Sequence, residues 1–112
     1  RRDVETLPGE RGLVAAVKAY LDSSEGVPTL DEAADHFNMA SRTLRRRLGA
    51  LGTSWQQIAD DYRFNEARRF LLSTHYTLET IAQVLGYSDV RSFRTAFKRW
   101  AGLTPSAFRQ QH

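Results

Sequence analysis

The sequence predicts an all-α protein of about seven helices, forming two helix-turn-helix subdomains joined by a long linker helix. Three observations predict it. Two periodic apolar segments meet at a tight turn around Gly86, a second copy of that pattern lies about 48 residues earlier, and an apolar helical period without Gly or Pro connects the two.

Residues 1–10 are charged, contain Pro8 and Gly9 and lack periodicity, so they read as a tail or the end of an interdomain linker. Leu13, Val14, Val17, Tyr20 and Leu21 then mark an amphipathic helix over residues 11–22, ended by the loop 23–28. Thr29 with Glu32 forms a capping box, and Leu30, Ala33, Ala34 and Phe37 supply the apolar stripe of a short helix. Asn38 and Met39 make the turn, where Asn38 tolerates a left-handed backbone better than most non-glycine residues. The next helix, residues 41–51, buries Leu44, Leu48 and Leu51, which closes a first subdomain over residues 11–53.

Ser54 with Gln57 reads as a second capping box, and Trp55, Ile58, Ala59, Tyr62, Ala67, Phe70 and Leu71 keep helical spacing to residue 73. At 1.5 Å per residue this linker helix is roughly 27 Å long, comparable to the roughly 34 Å between successive major-groove faces of DNA. Residues 74–112 hold the second subdomain. Leu78, Ile81, Ala82 and Leu85 form its first helix, Gly86 supplies the break, and Asp89 caps a second helix carrying Phe93, Phe97 and Trp100. Thr104 and Pro105 start a last helix that bears Phe108 and Arg109.

The two subdomains are an internal repeat: Thr29-Leu30 matches Thr77-Leu78, Ala34 matches Ala82, Met39 matches Tyr87, and Leu44, Leu48 and Leu51 match Phe93, Phe97 and Trp100. With Phe93 at zero and about 100° per residue, Phe97 and Trp100 stay within about 40°, whereas Arg91, Arg94, Thr95 and Lys98 lie roughly 100 to 200° away. The same arithmetic sets Arg42, Arg45, Arg46 and Gly49 opposite Leu44 and Leu48. Charge follows this pattern. Residues 1–40 hold four bases and eight acids, residues 41–53 four bases and no acid, and residues 91–112 five bases and no acid. A merely solvated surface would intersperse the signs.

The residues Ile81-Ala82, Leu85-Gly86-Tyr87, Phe93, Ala96-Phe97-Lys98-Arg99, Gly102, Thr104-Pro105 and Phe108-Arg109 resemble the signature of AraC/XylS-type bacterial transcription regulators. The resemblance extends over residues 29–109 and includes Arg63, Ala67, Leu71 and Leu72; Asn38 departs from it, standing where the family usually has glycine. It implies a domain whose two helix-turn-helix motifs enter successive major-groove faces of double-stranded DNA. It also implies RNA polymerase as a partner, a cytoplasmic place at the bacterial nucleoid, and a separate sensing or dimerisation domain elsewhere in the full-length protein.

On this reading Arg42, Arg46 and Arg91 are the foremost base-contacting candidates, followed by Arg45, Arg94 and Thr95, because a guanidinium can grip guanine O6 and N7 with two hydrogen bonds. Ser41, Thr43, Arg47, Ser92, Lys98 and Arg99 are the candidates for phosphate. The aromatics Trp55, Phe93, Phe97, Trp100 and Phe108 have the spacing of core residues rather than of a base-stacking platform. No catalytic role, cofactor or metal is expected, since the chain has no cysteine and its three histidines, His36, His75 and His112, are scattered along it. The missing cysteine also removes the methyl acceptor that an alkylation-repair module would need. No apolar run approaches the roughly 18 residues that span a bilayer. The isolated domain is expected to be monomeric, every apolar stripe being used internally. The alternative is a helical protein-interaction module without DNA contact, and salt-dependent duplex binding separates the two.

Overall fold

The computed structural model describes residues 10–112, with side chains from Gly12 onward; residues 1–9, most of the expected tail, lie outside the described residues. Seven helices and no strand are present among the described residues: α1 (Glu10–Ser23), α2 (Leu30–His36), α3 (Ser41–Ala50), α4 (Trp55–Ser73), α5 (Leu78–Val84), α6 (Val90–Ala101) and α7 (Pro105–Gln111). The chain divides into two compact units, one reaching to Ala59 and the other spanning Asp60–His112. The division falls inside α4, whose first turn belongs to one unit and whose remainder belongs to the other.

In the first unit, Leu13, Val17 and Leu21 of α1 are fully buried together with Ala33 and Ala34 of α2, Leu44 and Leu48 of α3, and Ile58 and Ala59 at the start of α4. Burying each of these leucines contributes about 1.5–3 kcal/mol, which sets the scale of what orders so short a chain segment. The Thr29 capping box closes as expected: Glu32 N donates to Thr29 Oγ1 at 3.1 Å and Thr29 N to Glu32 Oε1 at 2.8 Å. Asn38 takes the left-handed conformation, φ 57°, and Met39 N donates to Ala34 O at 2.8 Å. Trp55 is half-buried rather than fully interior, because its indole Nε1 turns to donate to Pro28 O at 3.1 Å. That bond ties the loop before α2 to the first turn of α4.

The second unit repeats the turn bond for bond. Gly86 has φ 91°, Gly86 N donates to Gln83 O at 3.1 Å as Asn38 N does to Asp35 O at 3.1 Å, and Tyr87 N donates to Ala82 O at 2.9 Å. Its core gathers Ala67, Phe70 and Leu71 of α4 with Ile81, Ala82 and Leu85 and with Phe93 and Phe97 of α6. Phe64, Trp100 and Phe108 pack on this cluster partly buried, and Phe108 meets Phe97 edge-on at 5.3 Å between ring centroids. Such aromatic contacts contribute about 0.5–1.5 kcal/mol beyond the area they bury.

Candidate nucleic-acid interface

Helix α3 owes its outward face to its own sequence. Leu44 and Leu48 are drawn into the core, so the rest of the helix turns Arg42, Arg45 and Arg46 to solvent, and all three are exposed. On α6, Phe93, Ala96 and Phe97 are buried, and Arg91, Ser92, Arg94, Thr95, Lys98 and Arg99 are exposed. Among the described residues, none of Arg42, Arg45, Arg46, Arg91, Arg94, Lys98 and Arg99 has a carboxylate within ion-pair reach. They thus lack the direct ion pair made by Arg69, which bonds Glu66 Oε1 at 2.7 Å, or by Arg63, 3.6 Å from Asp60. A helix with side chains is about 10–12 Å across, the width of the major groove of B-DNA.

Three candidates sit differently from this exposed set. Thr43 is half-buried. The Ser41 hydroxyl donates to the Asp31 carboxylate, which ties the first residue of α3 to the first turn of α2. Arg47 is half-buried: its Nη1 reaches Met39 Sδ at 4.0 Å, and its stem lines a cavity of about 60 Å³ with Leu13, Ala50 and Leu51. Periodicity alone reported neither contact, since both depend on side-chain direction and on partners eight and ten residues away.

The starts of the two helices also differ. Asp89 caps α6 by accepting from Ser92 N at 2.7 Å, and that backbone hydrogen bond, with a second one to the Ser92 side chain and the nearby Arg91 charge, holds the Asp89 carboxyl below the usual carboxylate range. In α3 the corresponding place is Ala40, which offers no side-chain cap. Behind α6, burial pushes the Tyr87 phenol up, while the Arg63 guanidinium, 5.8 Å above its ring, pulls the other way.

Arg109 belongs by sequence to the basic C-terminal block, yet its guanidinium does not join the α6 face. Its Nε donates to Leu71 O at 3.0 Å, and its Nη2 lies 3.4 Å from Phe70 O and 3.3 Å from Thr74 O. The charge thus closes the carbonyl end of α4, where the helix dipole is negative. No local signal in the sequence separates this arginine from the others.

A helix-turn-helix domain model matches residues 33–111. The chain is 40% identical over 106 residues to the ornithine utilization regulator of Pseudomonas aeruginosa, an alignment covering 94% of this chain and 31% of that protein. Among solved structures, the DNA-binding domain of AdpA, a global transcriptional factor in complex with a target DNA, is similar with a TM-score of 0.75 and 26% identity, covering 88% of this chain and 90% of that one. A transcriptional regulator of AraC type from Chromobacterium violaceum shares the fold with a TM-score of 0.76 and 23% identity, covering 97% and 96% of the two chains. The chain thus spans under a third of the length of the ornithine utilization regulator. By its two turns, its buried stripes and the family model that covers most of its length, this chain belongs to the AraC-type helix-turn-helix family of DNA-binding domains.

Proposed function

We propose that this domain recognises specific double-stranded DNA sequences for a bacterial transcription regulator, with α3 and α6 as recognition helices that occupy successive major-groove faces. The observation that carries the reading is the recurrence, on the second helix of each motif, of an exposed basic face free of carboxylate partners. Arg42, Arg46 and Arg91 are the principal base readers, with Arg45, Arg94 and Thr95 beside them; Lys98, Arg99, Ser92 and Thr43 hold phosphate. Ser41 and Arg47 reach the backbone from the positions that Asp31 and Met39 give them. The regulator works at the nucleoid in the cytoplasm with RNA polymerase as a partner, and the domain by itself is a monomer. A concentration-independent dimer in sedimentation without DNA would contradict that last statement.

The test is binding to duplex DNA selected from a random pool, measured across salt. Affinity should fall steeply as salt rises, because each neutralised phosphate releases counterions. Arg46→Ala should lose about 1–3 kcal/mol on the selected site and relax preference at one base position. Uniform weakening on every sequence would reassign Arg46 to phosphate, and no duplex binding by the unaltered protein would reject the reading. Inserting about five base pairs, half a helical turn, between the two half-sites should abolish joint binding.

A further inference from the structure

Glycine is, after proline, the residue least suited to the interior of a helix, so a helical glycine calls for a reason. Gly26, Gly52, Gly86 and Gly102 have theirs in left-handed φ angles between 79° and 91°. Gly49 has none inside the molecule. It lies within α3 on ordinary helical backbone, and no packed neighbour comes within 4 Å of where its Cβ would stand. The left-handed stop after α3 is supplied by Gly52, so Gly49 is not needed to end the helix. Nor is α3 well supported otherwise: it has ten residues, and Ala40 before it gives no side-chain cap.

What surrounds Gly49 is the exposed basic face. At about 100° per residue it lies within about 20° of Arg42, two turns and roughly 10 Å further along α3, with Arg45 and Arg46 one turn before it. All four positions are exposed. The internal repeat sets Lys98 at the matching place of α6, so a long side chain stands there where α3 presents bare backbone. Withholding charge from this position would not call for glycine, since alanine is equally neutral and a far better helix former. What glycine alone provides is room for a second backbone to come close. Resting on the DNA-binding reading above, we infer that Gly49 is a positioning residue of the first motif: the sugar-phosphate chain at the edge of the major groove packs directly on the α3 backbone there. That close approach seats Arg42, Arg45 and Arg46 at the depth of the base edges.

The experiment compares the unaltered chain with Gly49→Ala, Gly49→Leu and Gly49→Lys on a selected duplex and on a random-sequence duplex, with thermal unfolding alongside. All three variants should melt higher than the unaltered chain, because each added side chain meets open space and favours the helix, so a loss of binding is not a loss of folding. Alanine should weaken the selected complex about fivefold and leucine by more than about tenfold, the scale of one base contact drawn out of reach. The random duplex, bound without a close fit, should change less than about twofold. Lysine, which copies Lys98, should also weaken the selected complex despite its charge. Selected-duplex binding that is unchanged or tighter with alanine or leucine would overturn the inference. So would tighter binding of both duplexes by the lysine variant, which would make Gly49 a phosphate contact left out. Failure of the unaltered chain to bind any duplex is a separate result, and it would remove the DNA reading itself.

Discussion

Replacing Arg109 by alanine removes three interactions at the end of α4 and leaves the exposed basic faces of α3 and α6 as they are. The Nε bond to Leu71 O, 3.0 Å, lies within the ordinary range, whereas the Nη2 contacts at 3.3 and 3.4 Å are beyond it and weaker. A hydrogen bond from a charged donor is worth about 1.5–3 kcal/mol, and a cation at a helix C-terminus adds about 0.3–1 kcal/mol. Arg109 is half-buried, so water replaces part of this, and the expected loss is about 2 kcal/mol. For a domain of this size that lowers Tm by roughly 8 °C. Arg109→Lys keeps the charge but can restore only one bond, so it should recover about half of the loss. Thermal melts followed by circular dichroism measure both. A shift under about 2 °C for the alanine variant, or full rescue by lysine, would refute the argument that the forked geometry closes the helix end.

Gly49→Ala should raise stability by up to about 1 kcal/mol, since Gly49 lies in the last turn of α3 with ordinary φ and nothing within 4 Å of the added methyl. Gly86→Ala should lower it by about 1 kcal/mol or more despite equal space, because φ is 91° there, and urea unfolding of the pair reads the sign directly. The depressed Asp89 pKa makes its cap a stabilising contribution present above about pH 4, the unfolded carboxylate value, and lost as pH falls through the lower folded value. Melts across the acid range should show that limb shallower in Asp89→Asn. Arg47→Ala should cost about 1 kcal/mol of stability through its lost packing, whereas Arg45→Ala, fully outward, should change Tm by less than the scatter of a surface substitution.

What could be read from the sequence was what is local. The caps at Thr29, Ser54 and Asp89 and the helix start at Thr104 each use a partner three residues away, and the left-handed turns at Asn38 and Gly86 follow from the residue types themselves. Burial of Leu44, Leu48, Phe93 and Phe97 followed from helical period. Leu51 comes out half-buried because it sits just past the end of α3, where one side of the residue meets a loop, and Trp55 because its indole turns to Pro28 O. Period also gives the face on which a side chain starts, but not where a long one ends. Arg47 bends back to Met39, Ser41 turns to Asp31, and Arg109 crosses 38 residues of chain to Leu71, each settled by a partner that no spacing rule names.

The Met39 contact has a chemical consequence. With one methionine and no cysteine, the chain contains a single sulfur atom, and that atom lies half-buried at the turn before α3, against the Arg47 guanidinium. Mild peroxide therefore has one residue to oxidise by the usual sulfur route, and the product is a polar sulfoxide whose oxygen is a far stronger acceptor than the thioether it replaces. Oxidation is thus a reagent that addresses the first motif and leaves Tyr87, its counterpart in the second, untouched. Intact-mass measurement on peroxide-treated protein should show one added oxygen, and methionine sulfoxide reductase should take it away.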